Sequence, residues 1–86
     1  MNKETFIANM CMVAGKPRLV GGGEQWEKKV GDKDIRVNVF ENGAEISVSL
    51  NTNPNCRILL GIEHDDSPEC YLRVWNRVKE EVARHG

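Results

Sequence analysis

The 86-residue sequence contains little that would point to an extreme class of protein. Its three cysteines, Cys11, Cys56 and Cys70, include no close pair and make an odd total, which favours reduced thiols in a reducing compartment. The charge is nearly balanced, with 12 Lys and Arg against 13 Asp and Glu, so no overall field would attract a polyanion or imitate one. No window approaches the about 20 apolar residues of a membrane span, and the polar start Met1–Thr5 is a poor secretory signal. We therefore expect a cytoplasmic protein without a membrane partner.

Length and apolar content predict one folded domain over residues 1–86. Apolar residues make up 40% of the chain and charged residues 29%, a balance typical of globular proteins. A chain this short encloses a single hydrophobic core. A deep catalytic cleft within one copy is therefore not expected.

The clearest local pattern is a β-hairpin from Ile35 to Leu50 around Asn42-Gly43. This dipeptide is typical of a two-residue type I′ turn, which would place Glu41 opposite Ala44. Three apolar pairs then follow on one face: Val39 with Ile46, Val37 with Val48, and Ile35 with Leu50. The residues between them are polar, so the hairpin predicts one buried face and one face free for water or a partner.

Two further strands extend this hairpin into a four-stranded antiparallel meander. Gln25–Val30 alternates with Trp26 on the apolar side, and Cys56–Ile62 forms the return strand. In that return strand alternation places Cys56, Ile58, Leu60 and Ile62 toward the core. Lys16–Glu24, which contains Pro17 and three consecutive glycines, is expected to be a loop.

Helices are predicted at both ends of the chain. Ser67-Pro68-Glu69 is typical of a helix start, and an apolar stripe follows at helical spacing: Tyr71, Val74, Trp75, Val78 and Val82. Lys3–Ala14 favours a short helix with Asn2 as N-cap and Gly15 as its end, although an extra strand would also fit this segment. The fold class is therefore α+β, with the C-terminal helix packed on one face of the sheet.

The outward face of the sheet is the candidate binding surface. Six residues with mixed chemistry are expected to project from it: Arg36, Asn38, Phe40, Ser47, Ser49 and Arg57. Such a face can dock a protein partner or a second copy of the chain, since an aromatic beside arginine is common at interfaces. Alternatively the N-terminal segment could cover this face.

The function favoured by these features is non-enzymatic binding through protein–protein contact, with a homodimer as one form of it. Small α+β domains of this kind occur among accessory proteins of phages and other mobile elements, an analogy at the level of class only. A single-stranded nucleic-acid binder is the alternative, with Arg36, Phe40 and Arg57 assisted by Lys28 and Lys29.

A small metal- or thiol-dependent enzyme is the second alternative. His64, Asp65, Asp66 and Cys70 carry suitable ligand atoms, but their spacing favours solvation of a turn and complementation of the helix dipole. We therefore predict no catalytic residue, no metal site and no cofactor. On the C-terminal helix, arginines Arg73, Arg77 and Arg84 stand four residues from acids, which predicts a salt-bridged, solvated face.

Overall fold

A computed structural model describes all of residues 1–86 and shows an α+β fold with a five-stranded antiparallel sheet and a helix at each end. Each strand pairs with the next along the chain, in the order β1-β2-β3-β4-β5. The elements are α1 (Lys3–Ala14), β1 (Arg18–Val20), β2 (Gly23–Val30), β3 (Lys33–Val39), β4 (Ala44–Leu50), β5 (Asn53–Glu63) and α2 (Pro68–His85). The predicted class and meander are confirmed, and the sheet has one strand more than predicted.

The additional strand lies where a loop was predicted. Arg18–Val20 pairs with Gly23–Gln25, and Gly21-Gly22 forms the turn between them with φ angles of 60° and 102°. Two consecutive positive φ angles are what a two-residue hairpin turn needs, and glycine adopts them without steric cost. The glycines therefore make a tight turn rather than an open connection.

The central hairpin has the predicted faces but a register two residues away from the predicted one. Val39 pairs with Ala44, Val37 with Ile46 and Ile35 with Val48. A shift of two residues keeps every side chain on its own face, so the apolar residues of β3 and Ile46 are buried as predicted although the partners differ. On β4, however, Leu50 is 43% exposed, and Ser47 and Ser49, predicted to be open to water or a partner, are buried. The connection is the four-residue loop Phe40–Gly43, so the predicted type I′ turn is wrong.

Position 43 requires glycine because of contacts with other elements, and not because of the predicted turn. A Cβ atom at this position would lie 1.9 Å from the carbonyl oxygen of Glu63, at the end of β5. The backbone N–H of Gly43 also donates a hydrogen bond to the Tyr71 hydroxyl at 3.3 Å. Glycine here permits the close approach of β5 and α2, which local sequence does not reveal.

Both helices pack on the same side of the sheet. Asn2 caps α1 by accepting a hydrogen bond from the Thr5 N–H at 2.8 Å, and the helix ends at Gly15, as predicted. The Phe6 ring lies 5.7 Å from that of Tyr71 and meets Trp75 edge-on at 6.4 Å. Because α1 joins α2 in one core, the N-terminal segment does not cover the other face of the sheet.

The β5 strand departs most from its predicted side-chain pattern. Two irregularities in its pairing with β4 interrupt the alternation, one near Leu60 and one before Arg57. Cys56 is exposed, Ile58 is 65% exposed and Ile62 pairs with Glu45 on the face away from the helices. Of the four residues predicted to face the core, only Leu60 packs against it.

The α2 helix buries its predicted stripe, with Tyr71, Val74 and Val78 in the core. The arginines on its charged face form ion pairs that do not have the predicted spacing of four residues. Arg77 lies 3.8 Å from Glu80 and Arg84 lies 3.5 Å from Glu81, both three residues apart, while Arg73 reaches Glu63 on β5.

Neither α1 nor α2 has the length and apolar character that a membrane-spanning helix requires.

Candidate functional site

Five of the six predicted site residues lie together on the sheet face opposite the helices, here called the outer face. Arg36 pairs with Ser47 across β3 and β4, and Asn38 stands opposite Glu45. Ser49 and Arg57 lie beside them, joined by a hydrogen bond of 3.0 Å. No helix lies over this face, but Ser47 and Ser49 are buried, and both accept hydrogen bonds from Arg57.

Arg57 lies along the outer face, and almost all of its hydrogen-bonding capacity is taken up by contacts within the fold. Its guanidinium group makes five hydrogen bonds, which equals its number of N–H donors. The acceptors are the hydroxyl groups of Ser47 and Ser49, the backbone carbonyls of Asp34 and Ser47, and the Asp34 carboxylate. Arg57 is thus poorly placed to bind a ligand without losing contacts.

Asp34 is the residue that sequence reasoning missed on this face. It lies in β3 opposite Ser49 and is only 3% exposed. One carboxylate oxygen accepts from Arg57 at 3.2 Å, while the other has no hydrogen-bond partner. The correct hairpin register would have shown the position, since it places an acid beside two serines and an arginine.

The remaining polar side chains of the outer face are also paired. Gln25 donates to Asn38 at 2.8 Å, and Asn38 donates to Glu45 at 2.8 Å. Arg36 forms a salt bridge of 2.9 Å with Glu27. Burial tends to raise the pKa of Glu27, but the hydrogen bond and charge of Arg36 outweigh it and leave that pKa below its ordinary value. The face is therefore a network of paired side chains, in which Asp34 Oδ1 and Arg36 Nε alone lack a hydrogen-bond partner.

Phe40, the sixth predicted residue, does not belong to a strand. It starts the loop after β3 and is half-buried. With the β1–β2 turn and Glu41 it lines an open concavity of about 410 Å³ at one end of the sheet. Gln25 and Asn38 also line this concavity, so it adjoins the outer face, whereas Arg57, Asp34 and the two serines do not line it.

The residues considered for a metal- or thiol-dependent enzyme make separate contacts. Tyr71 donates a short hydrogen bond to Asp66, while Cys70 accepts from Ser67 at 3.1 Å and from Arg73 at 3.2 Å. His64 and Asp65 are exposed. No group of three or more His, Cys, Asp or Glu side chains is arranged to hold a metal ion.

The most unusual surface of the molecule is the free edge of β5. This strand is 11 residues long and forms the last strand of the sheet. Ile58 is 65% exposed, Leu59 52% and Ile62 38%, and Leu72 at the start of α2 is 43% exposed. An exposed, apolar edge strand is a template for pairing with another chain. We call Ile58–Glu63 the β5 edge.

The opposite edge of the sheet is protected by its shortness. The β1 strand has only three residues and follows Lys16-Pro17; it includes Arg18 beside the exposed Leu19 and Val20. Short strands, proline and charge are the usual means by which edges avoid pairing. The two edges of this sheet are thus built differently.

A groove runs between the β5 edge and α2. It has a volume of about 190 Å³ and its lining mixes apolar and charged residues: Leu60, Gly61, Ile62, Glu63, Arg73, Val74 and Arg77. Arg73 donates a hydrogen bond to Glu63 at 2.5 Å. This hydrogen bond and the positive charge of Arg73 lower the pKa of the Glu63 carboxyl. The predicted alternation did not reveal this groove, because it assigned Ile58 and Ile62 to the core.

Comparisons with protein-family models, with curated proteins and with solved structures found no match. The surfaces of the molecule are therefore the basis on which its function is inferred.

Proposed function

We propose that this protein is a non-enzymatic binding module that contacts another protein by adding an extended segment of it to the β5 edge. The observation that carries the proposal is the difference in length between the two sheet edges: β1 has three residues, whereas β5 has eleven and exposes Ile58, Leu59 and Ile62. Backbone hydrogen bonds from an added strand supply affinity, and side-chain contacts beside it supply selectivity.

Protein is favoured over single-stranded nucleic acid because the outer-face cations are already paired. Arg57 bonds to Asp34 and Arg36 to Glu27, so these arginines would have to abandon carboxylates to bind phosphates. Neither arginine lines the concavity that contains Phe40, so the aromatic ring and the two cations do not share one pocket. If the alternative held, binding to oligonucleotides would weaken steeply with salt.

A homodimer through the same surface is one form of this proposal. Two copies of β5 can pair in antiparallel fashion about a two-fold axis, which makes identical edges complementary without a second protein. Concentration-dependent sedimentation of the purified chain tests this form directly.

The experiment that tests the proposal compares matched changes at the two sheet edges. Leu59→Lys with Ile62→Lys places charge on the β5 edge, while Leu19→Lys with Val20→Lys does the same on β1, where those side chains are 81% and 48% exposed. We expect the first pair to lose at least about tenfold in partner affinity, or in self-association, because charge opposes strand addition. The second pair should behave as wild type.

Partner binding is measured by quantitative pull-down from the source lysate after nuclease treatment, and self-association by sedimentation. Equal binding by both double variants, with unchanged melting temperatures, would contradict the β5 proposal. Loss of binding in Arg36→Ala with Phe40→Ala instead would place the contact on the outer face and its adjoining loop.

A further inference from the structure

The groove beside the β5 edge carries information about the chemistry of the partner. Its lining includes the apolar residues Leu60 and Val74, and its wall on α2 carries Arg73 and Arg77 one helical turn apart. A strand added to the β5 edge would run past this wall, because the groove lies between the edge and the helix. Side chains on one side of the added strand would then meet both surfaces.

Arg77 is the cation of this wall with the weakest internal contact. Its guanidinium lies 3.8 Å from Glu80, and its side chain remains 42% exposed. Arg73 in contrast holds Glu63 at 2.5 Å and also donates to the Cys70 sulfur. A carboxylate entering the groove could therefore bind Arg77 without displacing a strong internal pair.

Gly61 is a second, independent indication of a ligand in the groove. Its φ angle is outside the left-handed region, so backbone geometry does not demand glycine. A Cβ atom here would meet only Ile46 Cγ2, at 3.7 Å, which is an ordinary contact. Glycine in the middle of a strand weakens it and is often found where another chain or ligand approaches closely.

We propose, building on strand addition at the β5 edge, that the partner segment is an extended acidic peptide: a Glu or Asp side chain binds Arg77 while a neighbouring apolar side chain lies over Gly61. The groove thus selects for a carboxylate next to an apolar residue. Gly61 leaves room for the apolar group, and Arg77 supplies the charge.

The probe is a phage-displayed library of random seven-residue peptides held between neutral linkers, selected on the full chain. Peptides enriched by the wild type are expected to carry Glu or Asp beside an apolar residue. An enriched peptide, synthesised with blocked ends to exclude terminal charges, is then titrated against Arg77→Gln, Gly61→Ala and the control Arg84→Gln. Arg84 lies on the same helix and is 61% exposed in its side chain.

Arg77→Gln is expected to weaken binding about tenfold and to remove the preference for the acidic peptide over its amide counterpart, whereas Arg84→Gln changes neither. Gly61→Ala is expected to weaken binding while its melting temperature stays at or above that of the wild type. Enriched peptides that lack acids, or that bind Gly61→Ala and Arg77→Gln as tightly as wild type, would overturn the acidic-peptide inference.

The same titration distinguishes failure of this inference from failure of the proposed function. Neutral peptides that lose binding in Leu59→Lys with Ile62→Lys would leave strand addition standing and reject only the acidic chemistry. Absence of any enriched peptide over a selection without the protein would overturn both.

Discussion

Arg57 and Asp34 are the residues of the outer face with the largest expected effect on stability. The Asp34 side chain is buried and depends on Arg57 for its only partner, so removing the cation leaves an unpaired buried carboxylate. We expect Arg57→Met to lower the free energy of unfolding by roughly 3 kcal/mol. Urea unfolding at neutral pH measures this change.

Arg36→Met is the matched control for that substitution. Arg36 and Glu27 form a more exposed pair on the same face, with side chains 29% and 33% exposed. Its loss should cost less than about 1 kcal/mol. Similar costs for the two variants would show that the Arg57 cluster is not the stabilising part of the outer face.

Tyr71 links α2 to two neighbouring segments and gives stability a dependence on alkaline pH. Burial, followed by the hydrogen bond to Asp66, raises the pKa of Tyr71 from 10.0 to about 12. Between these values the unfolded chain loses the phenolic proton while the folded chain keeps it, so this contribution is complete below pH 10 and is lost as the pH rises through about 12.

Tyr71→Phe should therefore lower the free energy of unfolding by roughly 1 kcal/mol near neutral pH, since the Asp66 and Gly43 contacts are lost. The difference from wild type should shrink above pH 10. Urea unfolding of both proteins at about pH 9 and about pH 11 measures the slope. A difference that stays constant over this range would contradict the assigned role of the phenolic proton.

At the scale of elements, Gly43 and Gly61 allow opposite predictions for the same substitution. Gly43 has a φ of 112° and faces the Glu63 carbonyl, so Gly43→Ala is expected to cost more than about 2 kcal/mol. Gly61→Ala is expected to be neutral or slightly stabilising, because alanine fits and restricts the unfolded chain. Thermal unfolding of the two variants side by side checks both, and equal destabilisation would argue against the described approach of β5 to Gly43.

The central hairpin shows what the sequence can and cannot predict at this scale. Alternation identified the buried apolar residues of β3, because the facing of side chains has a period of two and survives a register shift of two. It did not predict that Leu50 at the end of β4 is exposed or that Ser47 and Ser49 are buried. The register depends on the length of the loop between the strands. Asn42-Gly43 is misleading as a turn signal, because Gly43 permits a close contact with β5 and does not form a two-residue turn. The three glycines from Gly21 were likewise read as a connection, although two of them form the tight turn.

The candidate site was predicted only in part for a related reason. The outer face follows from alternation, which placed Arg36, Asn38, Ser47 and Ser49 on it but not Asp34. The β5 edge depends on pairing irregularities near Leu60, which arise from the fit of β5 to β4 and have no counterpart in local composition. The partner of Arg57 could not be named before the register placed Asp34 beside it.

At the scale of the whole molecule, the sheet separates two surfaces with different roles. One face, covered by α1 and α2, holds the core, while the other carries paired polar groups and no covering element. The proposed contact uses neither face but the edge between them. The tests at Leu59, Ile62 and Arg77 should therefore change binding with little change in stability, while those at Arg57 and Tyr71 should do the reverse.

The order of elements along the chain also has a consequence during synthesis. All five strands pair with a chain neighbour, so the complete sheet can form as the chain emerges from the ribosome. The helix that covers its apolar face, α2, comes after the last strand. Until α2 is released, Ile35, Val37 and Ile46 lack their main covering element, and this interval is when a nascent chain would most need a chaperone.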